Sequence, residues 1–177
     1  MPACNPDLCL TLPDPLPLDS GATLAPVTIA YQQYGELSPE RDNVVLIFHA
    51  LTGDQYVASP HPATGKPGWW DRMVGPGKPI DTNRFCVIST NVIGGCMGST
   101  GPASEGPDGK PYGQRFPVVT IHDMVRGIAG LLDVLGIDKV HAAVGGSMGG
   151  MQAMAFASDF PGRAERVLVL ASAARQS

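Results

Sequence analysis

The stretch Gly145-Gly146-Ser147-Met148-Gly149-Gly150 sets a serine among small residues in a G-x-S-x-G spacing. It follows an apolar run and opens a helix-like segment. That is the context of a nucleophile elbow, a tight strand-to-helix turn that lifts a serine hydroxyl into the open. Glycine at 145 and 149 is then a steric demand, because a Cβ at either position would crowd the turn. A serine so placed can attack a carbonyl carbon and carry an acyl group. Two backbone N–H groups would face the resulting oxyanion. One is Met148, at the first turn of the following helix; the other comes from the loop after the strand-like run 44–48, with Leu51 its natural donor. The plainer alternative for Ser147 is a small residue in a glycine-rich turn, as in nucleotide-binding folds. The dinucleotide fingerprint G-x-G-x-x-G is out of register here, however, and the stretch comes late, after several strands.

The rest of a catalytic set is harder to find. The histidines are His49, His61, His122 and His141, and none is identifiable as a base. Elbow enzymes order their residues Ser…Asp/Glu…His, and no histidine follows Ser147. The acids that do follow are Asp159, near the end of the elbow helix, and Glu165, before a strand. Residues 91–101, Asn-Val-Ile-Gly-Gly-Cys-Met-Gly-Ser-Thr-Gly, either shape a pocket by close backbone approach or form a wide surface turn. Trp69-Trp70-Asp71 is equally open between core and pocket lining. Cys4, Cys9, Cys86 and Cys96 have neither C-x-x-C nor zinc spacing, and Cys86 is expected to be a reduced, buried strand thiol. That usage points to the cytoplasm.

The positioning elements follow from periodicity. Val44-Val45-Leu46-Ile47-Phe48, residues 85–89, 141–145 and 166–171 read as short buried strands of a parallel sheet. Residues 27–34 form a further strand, expected to pair near Leu16 after a Ser20-Gly21 turn. Ile121, Met124, Val125, Ile128, Leu131, Leu132 and Leu135 mark an amphipathic helix, with Thr120 as N-cap, Asp123 three residues on and Gly136 as its stop. A second helix spans 148–159. Alternating strands and helices predict an α/β fold with a mostly parallel sheet and helices on both faces. Two long Gly/Pro-rich connections, 51–80 and 92–117, follow the C-terminal ends of strands, where such sheets bind ligands.

Bulk properties narrow the classes. The chain has 177 residues, 44% of them hydrophobic and 16% charged, so it can build a core. A net charge of −4 argues against nucleic acid or anionic membrane as a partner. No apolar run approaches the ~20 residues of a membrane span, and the proline-broken N-terminus does not read as a signal peptide.

Taken together, five segments resemble the homoserine O-acyltransferases of methionine biosynthesis, members of the α/β-hydrolase superfamily. They are His49-Ala50-Leu51-Thr52-Gly53-Asp54, Gly68-Trp69-Trp70-Asp71, Ile80-Asp81-Thr82, residues 91–102 and Gly145 to Gln152. The resemblance implies Ser147 as nucleophile, Leu51 and Met148 as oxyanion hole, acyl-CoA (acetyl-CoA) as donor and L-homoserine as acceptor, without cofactor or metal. A serine esterase, an L-serine O-acyltransferase and a catalytically dead domain are the rival readings. The family continues beyond this stretch into further core strands, a lid and the triad Asp and His. Residues 1–177 are therefore expected to be the N-terminal part of a single α/β-hydrolase domain, truncated before the last core strands and lid. Alone they should be inactive and poorly soluble, and the full-length form is expected to be a homodimer.

Overall fold

The computed structural model describes residues 8–174. In chain order its elements are β1 (Cys9–Thr11), β2 (Leu16–Pro17), β3 (Thr23–Leu24), β4 (Thr28–Tyr34), β5 (Val44–Phe48), β6 (Val74–Gly75), β7 (Ile80–Asp81) and β8 (Cys86–Thr90). Then come α1 (Ile121–Val134), β9 (Ala142–Gly146), α2 (Met148–Asp159) and β10 (Val167–Leu170). Six strands make one sheet in the order β1-β4-β8-β5-β9-β10. β8, β5, β9 and β10 run parallel, while β4 and β1 extend the sheet antiparallel.

Every residue of β5 and β8 is buried, as continuous β-branched and apolar runs require when both faces of a sheet are covered. Alternate side chains divide between two cores. Val44, Leu46, Phe48, Cys86, Ile88 and Ala143 face α1 and α2, whose Val125, Ile128, Leu132, Ala153 and Phe156 complete that layer. Val45, Ile47, Val87, Ala142 and Val144 face Val57, Trp70, Met73, Val74 and Ile80 from the 51–80 connection. The predicted mostly parallel sheet is present. Helices on both faces are met on one face only among the described residues, because a loop segment with the two-residue strands β6 and β7 covers the other.

A second expectation is corrected at the N-terminal side. β4 does not pair near Leu16. It pairs with β1, Leu10 opposite Ile29, whereas Leu16 closes a small hairpin onto Leu24. Turn residues Ser20-Gly21 reverse the chain within that hairpin, so the strand they introduce is β3 rather than β4.

Helix α1 is bounded by local chemistry. Thr120 Oγ1 accepts the Asp123 N–H at 3.1 Å and Asp123 Oδ2 accepts the Thr120 N–H at 2.8 Å, a complete capping box. Asp123, fully buried, also accepts the Asp19 N–H at 2.9 Å and pairs with Arg126. The cap thus fastens the β2–β3 hairpin to the helix. At the other end Gly136, φ 67°, allows a Schellman stop with Gly136 N–H to Asp133 O and Ile137 N–H to Leu132 O. Replacing Thr120 by alanine should cost about 1–2 kcal/mol, read as a lowered urea midpoint at unchanged slope.

β10 is the sheet's edge among the described residues, and all four of its residues are exposed. Beside it lies an apolar hollow of about 380 Å³ that includes Trp70, Met73, Phe85, Val144 and Leu168.

Candidate active site

β9 ends at Gly146 and α2 starts at Met148, so Ser147 alone turns the chain. Its φ of 54° and ψ of −123° lie where residues with a Cβ are rarely found. Four hydrogen bonds hold the strained residue. Its N–H donates to Leu170 O at 3.0 Å, and its carbonyl accepts from Gly150 N (2.9 Å), Met151 N (3.2 Å) and Ser172 Oγ (2.8 Å). Such over-determination is what lets strain persist at functional positions. The result is an exposed serine at the C-terminal end of the sheet.

The glycines around it are in backbone-to-backbone contact. A Cβ on Gly145 would overlap the Gly149 carbonyl, and one on Gly149 would overlap the carbonyl of Phe48 and lie 3.0 Å from that of His49. The start of α2 is therefore pressed against the end of β5, next to the turn carrying Leu51. In that turn Gly53 N–H donates to Ala50 O at 2.8 Å, leaving Leu51 at its corner with an exposed side chain. The Leu51 N–H has no acceptor among the described residues. Met148, as first residue of α2, also has an N–H without an intrahelical acceptor, at the positive end of the helix.

None of the four histidines meets Ser147. His141 precedes β9 and is about 17 Å from its other end by strand rise, against Phe85, Glu165 and Arg166. His122 pairs with Asp159 at 2.6 Å at the far end of α2, about 18 Å from Ser147 by helix rise. His61 pairs with Asp54 at 3.2 Å and accepts the Ala63 N–H, bracing the 51–80 connection. His49 is buried, with both ring nitrogens engaged by backbone. Glu165 lies at the opposite end of the strands from the elbow, bonded to Lys139 and Arg166, which hold its carboxyl below the usual range.

Sequence reading missed the work of His49. Its Nδ1 contacts Ala50 O at 2.7 Å, and its Nε2 accepts the Val92 N–H at 3.2 Å. Burial pushes its pKa down, with the Ala50 carbonyl and Asp54 opposing. The unfolded chain then binds the proton more readily. The contribution of His49 to stability is complete above the ordinary value of 6.5 and is lost as pH falls through its lower folded value. Unfolding midpoints measured from pH 7 to pH 5 should fall, and the fall should be shallower in His49→Gln.

The two open readings resolve by residue. Trp70 packs into the core with Met73 and Ile80, whereas Trp69 is exposed, stacks on Trp70 at 5.7 Å and donates from Nε1 to Asp54 O at 2.9 Å. The glycine-rich stretch after β8 is tied down. Ser99 Oγ accepts the Ala30 N–H (3.0 Å) and donates to Asn91 O (2.6 Å), and Thr100 bonds Thr28 through both N–H and Oγ1. It encloses a cavity of about 200 Å³ and reaches the other long connection through Gln55 Nε2 to Met97 O, 2.7 Å. Cys86 is a buried free thiol, its pKa pushed up to about 11 by desolvation, and Cys96 is free and exposed. Cys9 is disulfide-bonded, so cysteine usage gives no argument for a reducing compartment. Among the described residues no cluster could hold a metal ion, and no helix is long and apolar enough to cross a membrane.

A strained serine between a parallel strand and a helix, facing a loop from the neighbouring strand, is the arrangement of one superfamily. A family model described as alpha/beta hydrolase fold matches residues 43–175. The chain belongs to the α/β-hydrolase family. It is 61% identical over 165 residues to a homoserine O-acetyltransferase of Caulobacter vibrioides (strain NA1000 / CB15N), covering 93% of this chain and 43% of that protein. To the homoserine O-acetyltransferase of Zymomonas mobilis it is 55% identical over 169 residues, covering 95% of this chain and 45% of that one. Among solved structures, esterase E22 superposes with a TM-score of 0.85 at 39% identity, covering 93% of this α/β-hydrolase chain and 47% of the esterase. The homoserine O-acetyltransferase from Bacillus anthracis gives 0.85 at 35% identity, with 93% and 46% covered. The chain thus spans less than half the length of these relatives.

Proposed function

We propose that this α/β-hydrolase chain carries the acyl-accepting machinery of a homoserine O-acyltransferase. Ser147 Oγ attacks the thioester carbonyl of acyl-CoA, the C–S bond breaks, and the CoA thiol leaves with the serine's proton. The γ-hydroxyl of L-homoserine then attacks the acyl-serine ester, gives up its own proton, and returns Ser147 to its hydroxyl form. In both steps the N–H groups of Leu51 and Met148 stabilise the tetrahedral oxyanion. The proton transfers need a base, and none of the described histidines is available: His61, His122 and His141 are held in other pairs, and both ring nitrogens of His49 are engaged by backbone. The reading assigns it to chain outside the described residues, where the relatives carry more than half of their length.

The observation that carries covalent acyl transfer is Ser147, held at φ 54° beside the Leu51 turn. Homoserine as acceptor and acetyl as donated group are supported by the 61% identity to a homoserine O-acetyltransferase. The same reading places the enzyme in methionine biosynthesis, in the cytoplasm, and as a homodimer in full-length form. Thiol release from acetyl-CoA, followed with and without homoserine in the full natural polypeptide, is the test. Release that depends on homoserine is expected. A second reading, a serine esterase, has its own support in the 39% identity to esterase E22. Release at the same rate without homoserine would favour it.

A further inference from the structure

The Ala50–Gly53 turn has to keep the Leu51 N–H at the serine, and its own bonding is slight. The Ala50 carbonyl that closes the turn by accepting Gly53 N–H at 2.8 Å is the same atom that meets His49 Nδ1 at 2.7 Å. A carbonyl can only accept, so Nδ1 carries the proton. On the other side the Val92 N–H can only donate, so Nε2, 3.2 Å away, is bare. Asn91 Nδ2 faces that same nitrogen at 3.4 Å. The partners therefore select one neutral tautomer. His49 is 1% exposed, and Gly53 is packed so closely that an added Cβ would sit 3.1 Å from the His49 Cβ. From α2, five residues past Ser147, Gln152 Nε2 approaches the His49 carbonyl at 3.5 Å, a long contact. The charged group acting on the ring is Asp54, on its own loop; the facing residues from the β8 loop and α2, Asn91, Val92 and Gln152, carry no charge.

We propose that His49 is a positioning residue for acyl transfer: its neutral ring, bridging the Ala50 carbonyl and the Val92 amide, locks the turn so that the Leu51 N–H stays where the Ser147 oxyanion develops. The inference rests on the acyl-serine reading. Its logic is that an oxyanion donor acts mainly in the transition state, so loosening it lowers kcat more than it raises KM. A merely structural histidine would instead reduce the amount of folded enzyme without changing turnover per active serine.

The test uses the full natural polypeptide with p-nitrophenyl acetate, whose hydrolysis needs the oxyanion hole whichever acceptor is natural. Active serines are titrated with a phosphonate, and kcat is expressed per titrated Ser147. His49→Ala removes both ring contacts, His49→Asn restores a donor near Nδ1, and His49→Gln restores an acceptor near Nε2. In His49→Ala, kcat per serine should fall about 10–100-fold with KM changed less than about threefold, less than the roughly 10²–10³-fold cost of deleting an oxyanion donor outright, because the Leu51 N–H is loosened and not removed. His49→Asn and His49→Gln, which disturb the core less, should each retain several-fold more activity than alanine. Where alanine does not fold, these two against wild type still decide, each falling below it in kcat. Values of kcat per serine within twofold of wild type in all folded variants, or a loss confined to KM, would overturn the role of His49. If Ser147→Ala hydrolyses the ester as wild type does, the acyl-serine reading falls and the role of His49 with it. An inactive Ser147→Ala beside fully active His49 variants removes the positioning role alone.

Discussion

Replacing Ser147 by alanine should leave the fold standing and lower kcat for homoserine-dependent thiol release on the order of 10⁴–10⁶-fold in the full natural polypeptide. The expectation rests on position. Ser147 is exposed at the turn, its backbone rather than its side chain carries the four bonds that shape the elbow, and its hydroxyl makes none of them. Removing Oγ therefore takes away the proposed nucleophile and little else. Alanine tolerates φ of 54° less well than glycine but no worse than serine, so the unfolding midpoint should move by less than about 1 kcal/mol in equivalent free energy. The residual rate, held by oxyanion donors and substrate binding, should no longer show a burst of CoA thiol, because no acyl-enzyme forms. Burst kinetics with acetyl-CoA provide the check. A variant that kept the wild-type burst would place the acyl group on another residue and end the acyl-serine mechanism.

What the sequence disclosed, and what it hid, follows from the range of the interactions. β5 and α2 were legible to the residue, because Val44 to Phe48 is an unbroken apolar run and the elbow motif fixes where α2 begins. Thr120, Asp123 and Gly136 announced both ends of α1, since caps are made within a few residues of the chain. The pairing of β4 was misread, because β1 is three residues long and too short to show a period. β6 and β7 were invisible for the same reason. Residues 91–101 looked equally like a wide surface turn, and what ties them down is Ser99 bonding a backbone amide 69 residues away. His49 was read only as part of a loop, although a histidine between a buried strand and a tight turn was the available signal. Its partners, Val92 above all, are 43 positions distant, and no spacing in a single sequence brings them together. The Leu51 turn could be placed from sequence because the superfamily keeps its oxyanion loop at a fixed place after the strand next to the elbow strand.

The glycines of the elbow give a prediction nearly as large, and it separates the steric argument from the motif. Gly145→Ala should destabilise by about 3 kcal/mol or more, at the upper end of overpacking costs, because the new Cβ meets backbone: the Gly149 carbonyl, and the Gly150 nitrogen at 2.8 Å. No side chain stands there to swing aside, so either α2 shifts away from β9 or the elbow opens. Gly149→Ala meets the carbonyls of Phe48 and His49 in the same way, and it would part the helix from the strand end that carries the Leu51 turn. Activity should suffer more than stability in both, since a displacement of about 1 Å between nucleophile and oxyanion donors can cost 10²-fold. Gly146 is the contrast. It occupies the free position of G-x-S-x-G, its φ is ordinary, and a Cβ there would lie 3.6 Å from Leu170 O and 3.9 Å from Leu170 Cβ, normal contact distances. Gly146→Ala should therefore unfold within about 1 kcal/mol of wild type and retain most of its turnover. Urea unfolding and kcat per titrated serine for the three variants decide the matter. Equal midpoints for Gly145→Ala and Gly146→Ala would mean that the turn relaxes freely, and the close approach of β9, α2 and β5 would then lose its claim to hold Ser147 in its strained conformation.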